Sequence, residues 1–330
     1  MAIRSQRRTA AMSGTAVAVA LILAPLAALA QTNYPDHPIR LIAPAAPGTG
    51  TDVVARMLAQ GLSERLGQAV VVENRPGAGN LIANEMVAKA APDGYMLLLG
   101  GSALTINPSM YKKMSHDALR DLAPITQAVF LPSLLVVHPS LPAKSTKALI
   151  ALAKLHPAEI LFGSAGHGTN SHLSAELFAM AAQIRIVHVP YKSGSLGLPD
   201  LMAGRIAFMM PNMIGAIPHV RSGRLRGLGV TSAVRVAAAP EIPTIAEGGL
   251  PGWESVQWYG LLTAAKTPRE IIARLHKEAV ATLNVPKNRE ILASDGGVVV
   301  AGSPEEFETH IKAETAKWAK VVKAAGIEPQ

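Results

Sequence analysis

The run Leu41-Ile-Ala-Pro-Ala-Ala-Pro-Gly-Thr-Gly-Thr-Asp-Val-Val-Ala-Arg56 passes from an apolar segment, through a loop of small residues, into a segment of helical period. Ile39 to Ala43 has the composition of a buried strand, and Pro44 and Pro47 stop it. Gly48 and Gly50 permit unusual backbone angles, after which Val54, Leu58, Leu62 and Leu66 recur at helical spacing. A strand joined by a tight turn to an amphipathic helix commits a chain to α/β layers. The turn also has a chemistry. The first four amides of a helix lack internal partners and the helix dipole favours negative charge there, so an anion suits this spot. Ala46, Pro47, Gly48 and Thr49 are the residues that would surround it.

The same pattern recurs. Gln68 to Glu73 predicts a second buried strand, Asn74 to Gly79 a glycine-rich turn, and the stretch through Met86 to Ala91 a helix. Pro92-Asp93-Gly94 is a turn before a third strand at Tyr95 to Leu99. This β-α-β-α-β order predicts a parallel sheet with helices on its faces. Open α/β sheets bind ligands outside the carboxyl ends of their strands, which brings Ser102 and Ala103 beside the first loop.

Strands at Leu134 to His138, Ile160 to Gly163, Ile186 to Val189, Ile206 to Met210 and Leu225 to Thr231 predict a second α/β unit, with helices at Ser145 to Leu155 and through Leu173, Leu177 and Met180. Its strand ends carry Ser164, Gly166, Thr169 and Asn170, then Tyr191, then Asn212. Two helices are expected near the end of the chain. Thr267-Pro-Arg-Glu270 and Ser303-Pro-Glu-Glu306 each place a hydroxyl cap, a proline and a glutamate in the order of a capping box. The apolar stripe Phe307, Ile311, Trp318, Val321 of the last helix is expected to pack on the first unit.

Residues 1–30 have the form of an export signal: Arg4, Arg7 and Arg8, then an apolar run from Ala16 to Leu29, ending in Ala28-Leu29-Ala30. Cleavage near Ala30 and a periplasmic destination are expected, with the mature protein not embedded in a membrane, since no later stretch is long and apolar enough to span one. The signal removes three arginines and no acid, so the net charge falls from +8 to +5. The basic residues are spread rather than massed and aromatics are few, which argues against nucleic acid as a partner. The chain has no cysteine, which excludes thiol catalysis, iron–sulfur clusters and cysteine zinc sites.

The candidate ligand residues have structural roles to set beside the functional one. Asp52 at a helix start serves as a cap or as a water-mediated contact, because beside a bound anion its own charge repels. Thr169 can cap its helix and leave other amides free. Tyr191 either walls the ligand or packs at the domain edge. His167 and His172 stand five apart without an HExxH motif, so no metal is expected. No Gly-x-Ser-x-Gly elbow occurs and no nucleophile–base pair is legible, so no catalytic residue is assigned and no cofactor is expected.

These motifs, in this order, resemble the Bug family of extracytoplasmic solute receptors related to the tripartite tricarboxylate transporters. The resemblance runs from about Tyr34 to Ile327. It rests on Tyr34-Pro35 with Pro38-Ile39, Pro47-Gly48 with Asp52 and Arg56, Val72-Glu-Asn-Arg-Pro-Gly-Ala-Gly79, Pro92-Asp-Gly-Tyr95, Gly163-Ser164 with Gly166, Gly168 and His172, and His188-Val-Pro-Tyr-Lys192. Asp200 with Gly204, Leu225 to Arg235, Pro243-Thr244 with Glu247, and Thr267-Pro268 extend it.

The resemblance implies an α/β, two-domain periplasmic-binding-protein fold, type II-like, with the ligand cleft between the domains. It implies domain one at 31–131, domain two at 132–232 and a return to domain one at 233–330. It further implies a small organic acid as ligand, held by backbone amides and hydroxyls, and the subunits of a tripartite membrane permease as partners. A monomer without enzymatic activity is expected. A receptor reporting to a signalling partner and an exported enzyme acting on a carboxylic acid are the alternatives. Two departures from the family stand out: Thr49 where a second glycine is common, and Pro211-Asn212 where many relatives carry an aspartate, which points away from amine-bearing ligands.

Overall fold

The computed structural model describes residues 34–294 and 296–329, so the export signal expected at 1–30 lies outside the described residues. In chain order the first half consists of β1 (Ile39–Ala43), α1 (Gly50–Leu66), β2 (Val70–Asn74), α2 (Leu81–Ala88), β3 (Met96–Gly101), α3 (Ala103–Met110), α4 (Ala118–Asp121) and β4 (Leu122–Pro132). A second group follows as β5 (Leu134–Val137), α5 (Thr146–Leu155), β6 (Ile160–Ser164), α6 (Asn170–Ala182), β7 (Ile186–Pro190), α7 (Gly194–Met202), β8 (Phe208–Met209), α8 (Met213–Arg221) and β9 (Arg226–Val230). The chain then returns through β10 (Val256–Ala264), α9 (Arg269–Leu283), α10 (Pro286–Ser294), β11 (Val298–Val299) and α11 (Pro304–Ala324).

Two sheets result, ordered β11-β4-β10-β3-β1-β2 and β7-β6-β8-β5-β9. In each, three strands with helical crossovers run parallel and a strand that enters from the other unit runs antiparallel to its neighbours: β10 against β3 and β4, and β5 against β8 and β9. The wholly parallel first sheet expected from the β-α-β-α-β run is therefore a mixed one. Val256–Ala264 follows a stretch rich in proline and glycine, which hides the longest apolar strand after β4.

Helix α1 shows how local chemistry sets the elements. Thr49 in extended conformation caps it, its Oγ1 accepting from the Asp52 N–H at 3.4 Å, and Gly67 ends it in the left-handed conformation at φ 72°. Val54, Leu58 and Leu62 are buried against β1, β2 and α9. Fully burying a leucine is worth about 1.5–3 kcal/mol, so this stripe fixes which face meets the sheet.

The close of the chain differs from expectation in three ways. Three helices form rather than two, α10 being the addition. The capping box forms at Ser303, whose Oγ accepts from Glu306 N–H while Glu306 accepts from Ser303 N–H. It does not form at Thr267, whose hydroxyl donates back to Ala264 O at 2.7 Å, leaving Pro268 at the cap. Finally, α11 is long enough to serve both units, at about 1.5 Å of rise per residue. Phe307 and Ile311 pack among Ile42, Leu98 and Trp258 of the first, whereas Trp318, Val321 and Val322 pack among Phe162, Phe178 and Trp253 with the second.

The segments linking the two units run side by side. Ser133 N–H donates to Thr231 Oγ1 at 2.7 Å, Thr231 N–H to Ser133 O at 3.0 Å, and Ser255 N–H to Thr231 O at 2.9 Å. All three residues are buried. The backbone groups that face one another here are paired, as burial requires.

Candidate functional site

A cleft of about 900 Å³ lies between the two sheets. Because both sheets aim strand carboxyl ends at it, the helices that follow those strands begin there. Gly50 and Thr51 of α1, Ser102 and Ala103 at α3, and Asn170 and Ser171 of α6 line it. So do Gly194 and Ser195 of α7, and Asn212 and Gly215 at α8. Each helix start brings amides without internal partners and the positive end of a dipole. Among the described residues, none that lines the cleft is lysine, arginine, aspartate or glutamate. Leu99, Ile106, Met110, Leu198, Met209 and Ile214 add an apolar share to the wall. Such a cleft suits a small anion with an apolar body, held by neutral donors.

Of the residues singled out from sequence, Gly48, Ser102, Ala103, Thr169, Asn170 and Asn212 line the cleft. Among the described residues the buried amide nitrogen of Asn170 has no hydrogen-bond partner, while its Oδ1 accepts from Ser174 Oγ at 3.4 Å. That leaves a donor at the start of α6. Asn212 Oδ1 caps α8 by accepting from Gly215 N–H at 2.9 Å.

The others lie outside the lining, and their partners explain why. Thr49 Oγ1 donates to Ala46 O at 2.9 Å, which closes the turn over Pro47 and engages both Ala46 and Thr49. Gly48 takes the left-handed conformation at φ 80° that this turn requires, while Gly50 is simply helical. Asp52 is buried and accepts from Gly48 N–H at 2.8 Å, Arg56 Nε at 2.9 Å and Asn74 Nδ2 at 2.9 Å. The Arg56 bond, with help from the other two, holds its carboxyl at about 2 against the opposing effect of burial. Gly166 O accepts the Thr169 hydroxyl at 2.7 Å. The Tyr191 hydroxyl donates to Asp200 at 2.8 Å, and burial with that contact pushes it up to about 12.

A serine–histidine pair, which the sequence did not reveal, is present. Ser164 Oγ lies 2.6 Å from His188 Nε2. The hydroxyl is fully buried, also contacts Gly166 N–H and O, and does not line the cleft. Among the described residues His188 Nδ1 has no partner, so none of their carboxylates orients the ring as a general base requires. The pair braces the loop.

His167, His172 and His188 present ring nitrogens within 4.8 Å of one another. His172 and His188 stack flat, with centroids 3.8 Å apart and planes 13° apart. Lone pairs in nearly parallel planes do not converge on an ion about 2.0–2.1 Å from each nitrogen. His172 Nδ1 moreover accepts from Gly168 N–H at 3.1 Å. This geometry is packing rather than ligation.

Asn80, Asn107, His167, Gln257 and Tyr259 line the cleft without having been singled out as ligand contacts. Gln257 and Tyr259 belong to the unanticipated strand β10, and Asn107 sits a turn inside α3. Asn80 had a signal in its glycine-rich turn.

The chain is similar to Protein BugT of Bordetella pertussis, 36% identical over 321 residues that cover 97% of this chain and 98% of the relative. Among solved structures it is similar to R. palustris Rpa4515 with adipate, at 36% identity and TM-score 0.76, covering 90% of this chain and all of that one. It is also similar to MatC (Rpa3494) from Rhodopseudomonas palustris with bound malate, at 27% identity and TM-score 0.72, covering 88% and 100%. Residues 54–327 match the model of the tripartite tricarboxylate transporter family receptor, TctC. With two α/β units closing on a cleft of helix starts, this chain belongs to that receptor family.

Proposed function

We propose that the protein is a periplasmic receptor that captures a small carboxylate between its two domains, without covalent chemistry, and presents it to a tripartite membrane permease. The observation that carries this reading is the convergence of the first turns of α1, α3, α6, α7 and α8 on a cleft with no charged lining residue among the described ones. The unpaired Asn170 amide adds a donor among them. Similar structures with adipate and with bound malate support the ligand class. The contact set is the sequence-derived one that lines the cleft, namely Gly48, Ser102, Ala103, Thr169, Asn170 and Asn212, with Ala46, Pro47, Thr49, Asp52, Ser164, Gly166 and Tyr191 supporting the loops. The domains divide at 131/132 and 232/233, where paired segments leave one sheet for the other, and the receptor works as a monomer. Export, with cleavage near Ala30, places it in the periplasm; the mature N-terminus, read by mass spectrometry, tests this.

Calorimetry against a panel of mono-, di- and tricarboxylates tests the function. Saturable binding with the acid recovered unchanged is the expected result. Stoichiometric conversion of the acid would overturn the receptor reading.

A further inference from the structure

Gln257 and Tyr259 stand two residues apart on β10 and so share one face of the strand, and both line the cleft. Trp258 between them turns to the opposite face, where its ring packs edge-on against Phe307 of α11 at 5.4 Å. The Trp258 N–H donates to Ser102 Oγ at 3.1 Å, which pins β10 to the start of α3. Opposite Tyr259 in register is Gly101 of β3. A Cβ at Gly101 would come within 3.1 Å of the Tyr259 ring, so the glycine leaves the ring its place. That ring is buried in the core of the first unit.

The hydroxyl has a different environment. Gln257 Nε2 donates to it at 2.8 Å. The Thr51 hydroxyl, in the first turn of α1, is a second donor to the same oxygen. All three residues line the cleft, so the phenol oxygen lies among lining residues. Burial outweighs the two donors and pushes the phenol above its ordinary value, which keeps its hydrogen in place. A phenol oxygen that accepts twice has only that hydrogen left to offer. Among the described residues no carbonyl or carboxylate takes it.

We propose that Tyr259 is a ligand-binding residue whose hydroxyl donates to a carboxylate oxygen of the bound acid, beside the first turn of α1, and that Gln257 is a positioning residue that turns the phenol hydrogen toward the ligand. This rests on the carboxylate-receptor reading and adds a directed side-chain donor to it. The donor also selects. A carboxylate oxygen can accept from the phenol, whereas an ammonium or an amide N–H in the same place would find no free lone pair on it.

Calorimetry with adipate and with malate, beside thermal unfolding without ligand, tests this on the wild type, Tyr259→Phe, Gln257→Leu and the double variant. Tyr259→Phe is expected to weaken acid binding by about tenfold to hundredfold, the range for losing a hydrogen bond to a charged group. Its ligand-free midpoint should stay within about 4 °C of the wild type. Gln257→Leu is expected to weaken binding about threefold to tenfold in the wild type and by less than about twofold in the Tyr259→Phe background, because its effect passes through the phenol. A Gln257→Leu effect that persists undiminished in that background overturns the positioning role. Unchanged affinity in Tyr259→Phe overturns the whole proposal, and either result leaves the receptor reading standing. If Tyr259→Phe fails to fold, half-buried Gln257 decides alone: weaker binding by Gln257→Leu at an unchanged midpoint supports the proposal, and unchanged affinity overturns it. No saturable binding of either acid by the wild type overturns both this proposal and the receptor reading.

Discussion

The side-chain amide of Asn74, at the end of β2, donates to Asp52 Oδ1 in the first turn of α1 at 2.9 Å, tying together two glycine-bearing turns that are 22 residues apart. Asp52 thereby braces the cleft loop without facing the cleft. Asp52→Ala is expected to cost about 1–3 kcal/mol, because it strands the Gly48 N–H and leaves the Asn74 amide with Ala45 O alone, and to weaken carboxylate binding by loosening Gly48. The folded carboxyl is depressed, so its contribution is complete above the unfolded value near 3.8 and is lost as pH falls toward about 2. Denaturant midpoints of wild type and variant between pH 7 and pH 2 check this: the gap should narrow on acidification.

Thr49 is a cap whose hydroxyl is engaged within its own turn. Thr49→Gly is expected to cost a few tenths of a kcal/mol and Thr49→Ala about 1 kcal/mol. Ligand affinity should stay within about twofold in both. A change in ligand preference measured by calorimetry would instead place the hydroxyl in the site.

Asn212→Asp separates binding from folding. Aspartate caps a helix as well as asparagine does and suits the α8 dipole, so thermal stability should hold or rise by about 0.3–1 kcal/mol. The added negative charge joins a cleft wall without lysine or arginine among the described residues. Carboxylate affinity should fall at least about tenfold, since like charges near 4 Å repel by about 4 kcal/mol at an effective dielectric of 20.

The stacked pair His172 and His188 makes the fold sensitive to acid. Both folded values are depressed, to about 3 and about 4, so between these and the ordinary value of 6.5 the unfolded chain binds protons that the folded one refuses. Stability is complete above about pH 6.5 and falls as pH drops below it, by at most about 1.4 kcal/mol per pH unit for each ring. His172→Gln should flatten this slope in urea titrations at pH 7, 6 and 5, though its baseline is lower for loss of the stack and the Gly168 bond.

Elements bounded by their own punctuation were legible. Ile39–Ala43 is the strand its composition predicts, and Ser303 forms the capping box read from Ser-Pro-Glu-Glu. Val256–Ala264 was not legible, because the proline- and glycine-rich stretch before it reads as one long loop and an apolar run does not name the strands it pairs with. For the same reason the stripe of α11 announced that it packs, yet not that its two ends pack on different units.

The repeated strand, turn and helix, their caps, and therefore the kind of anion-ready loop this chain builds can all be read from the order of its residues. These are set by residues within a few positions of one another. Packing in three dimensions sets which loops share a cleft, brings Gln257 and Tyr259 of β10 to it, and gathers residues 167, 172 and 188 into one cluster beside Ser164. Helical and strand periods encode which face is buried. The cleft is a juxtaposition made by sheet order and by two chain crossings, and its amides and hydroxyls leave no period in the sequence.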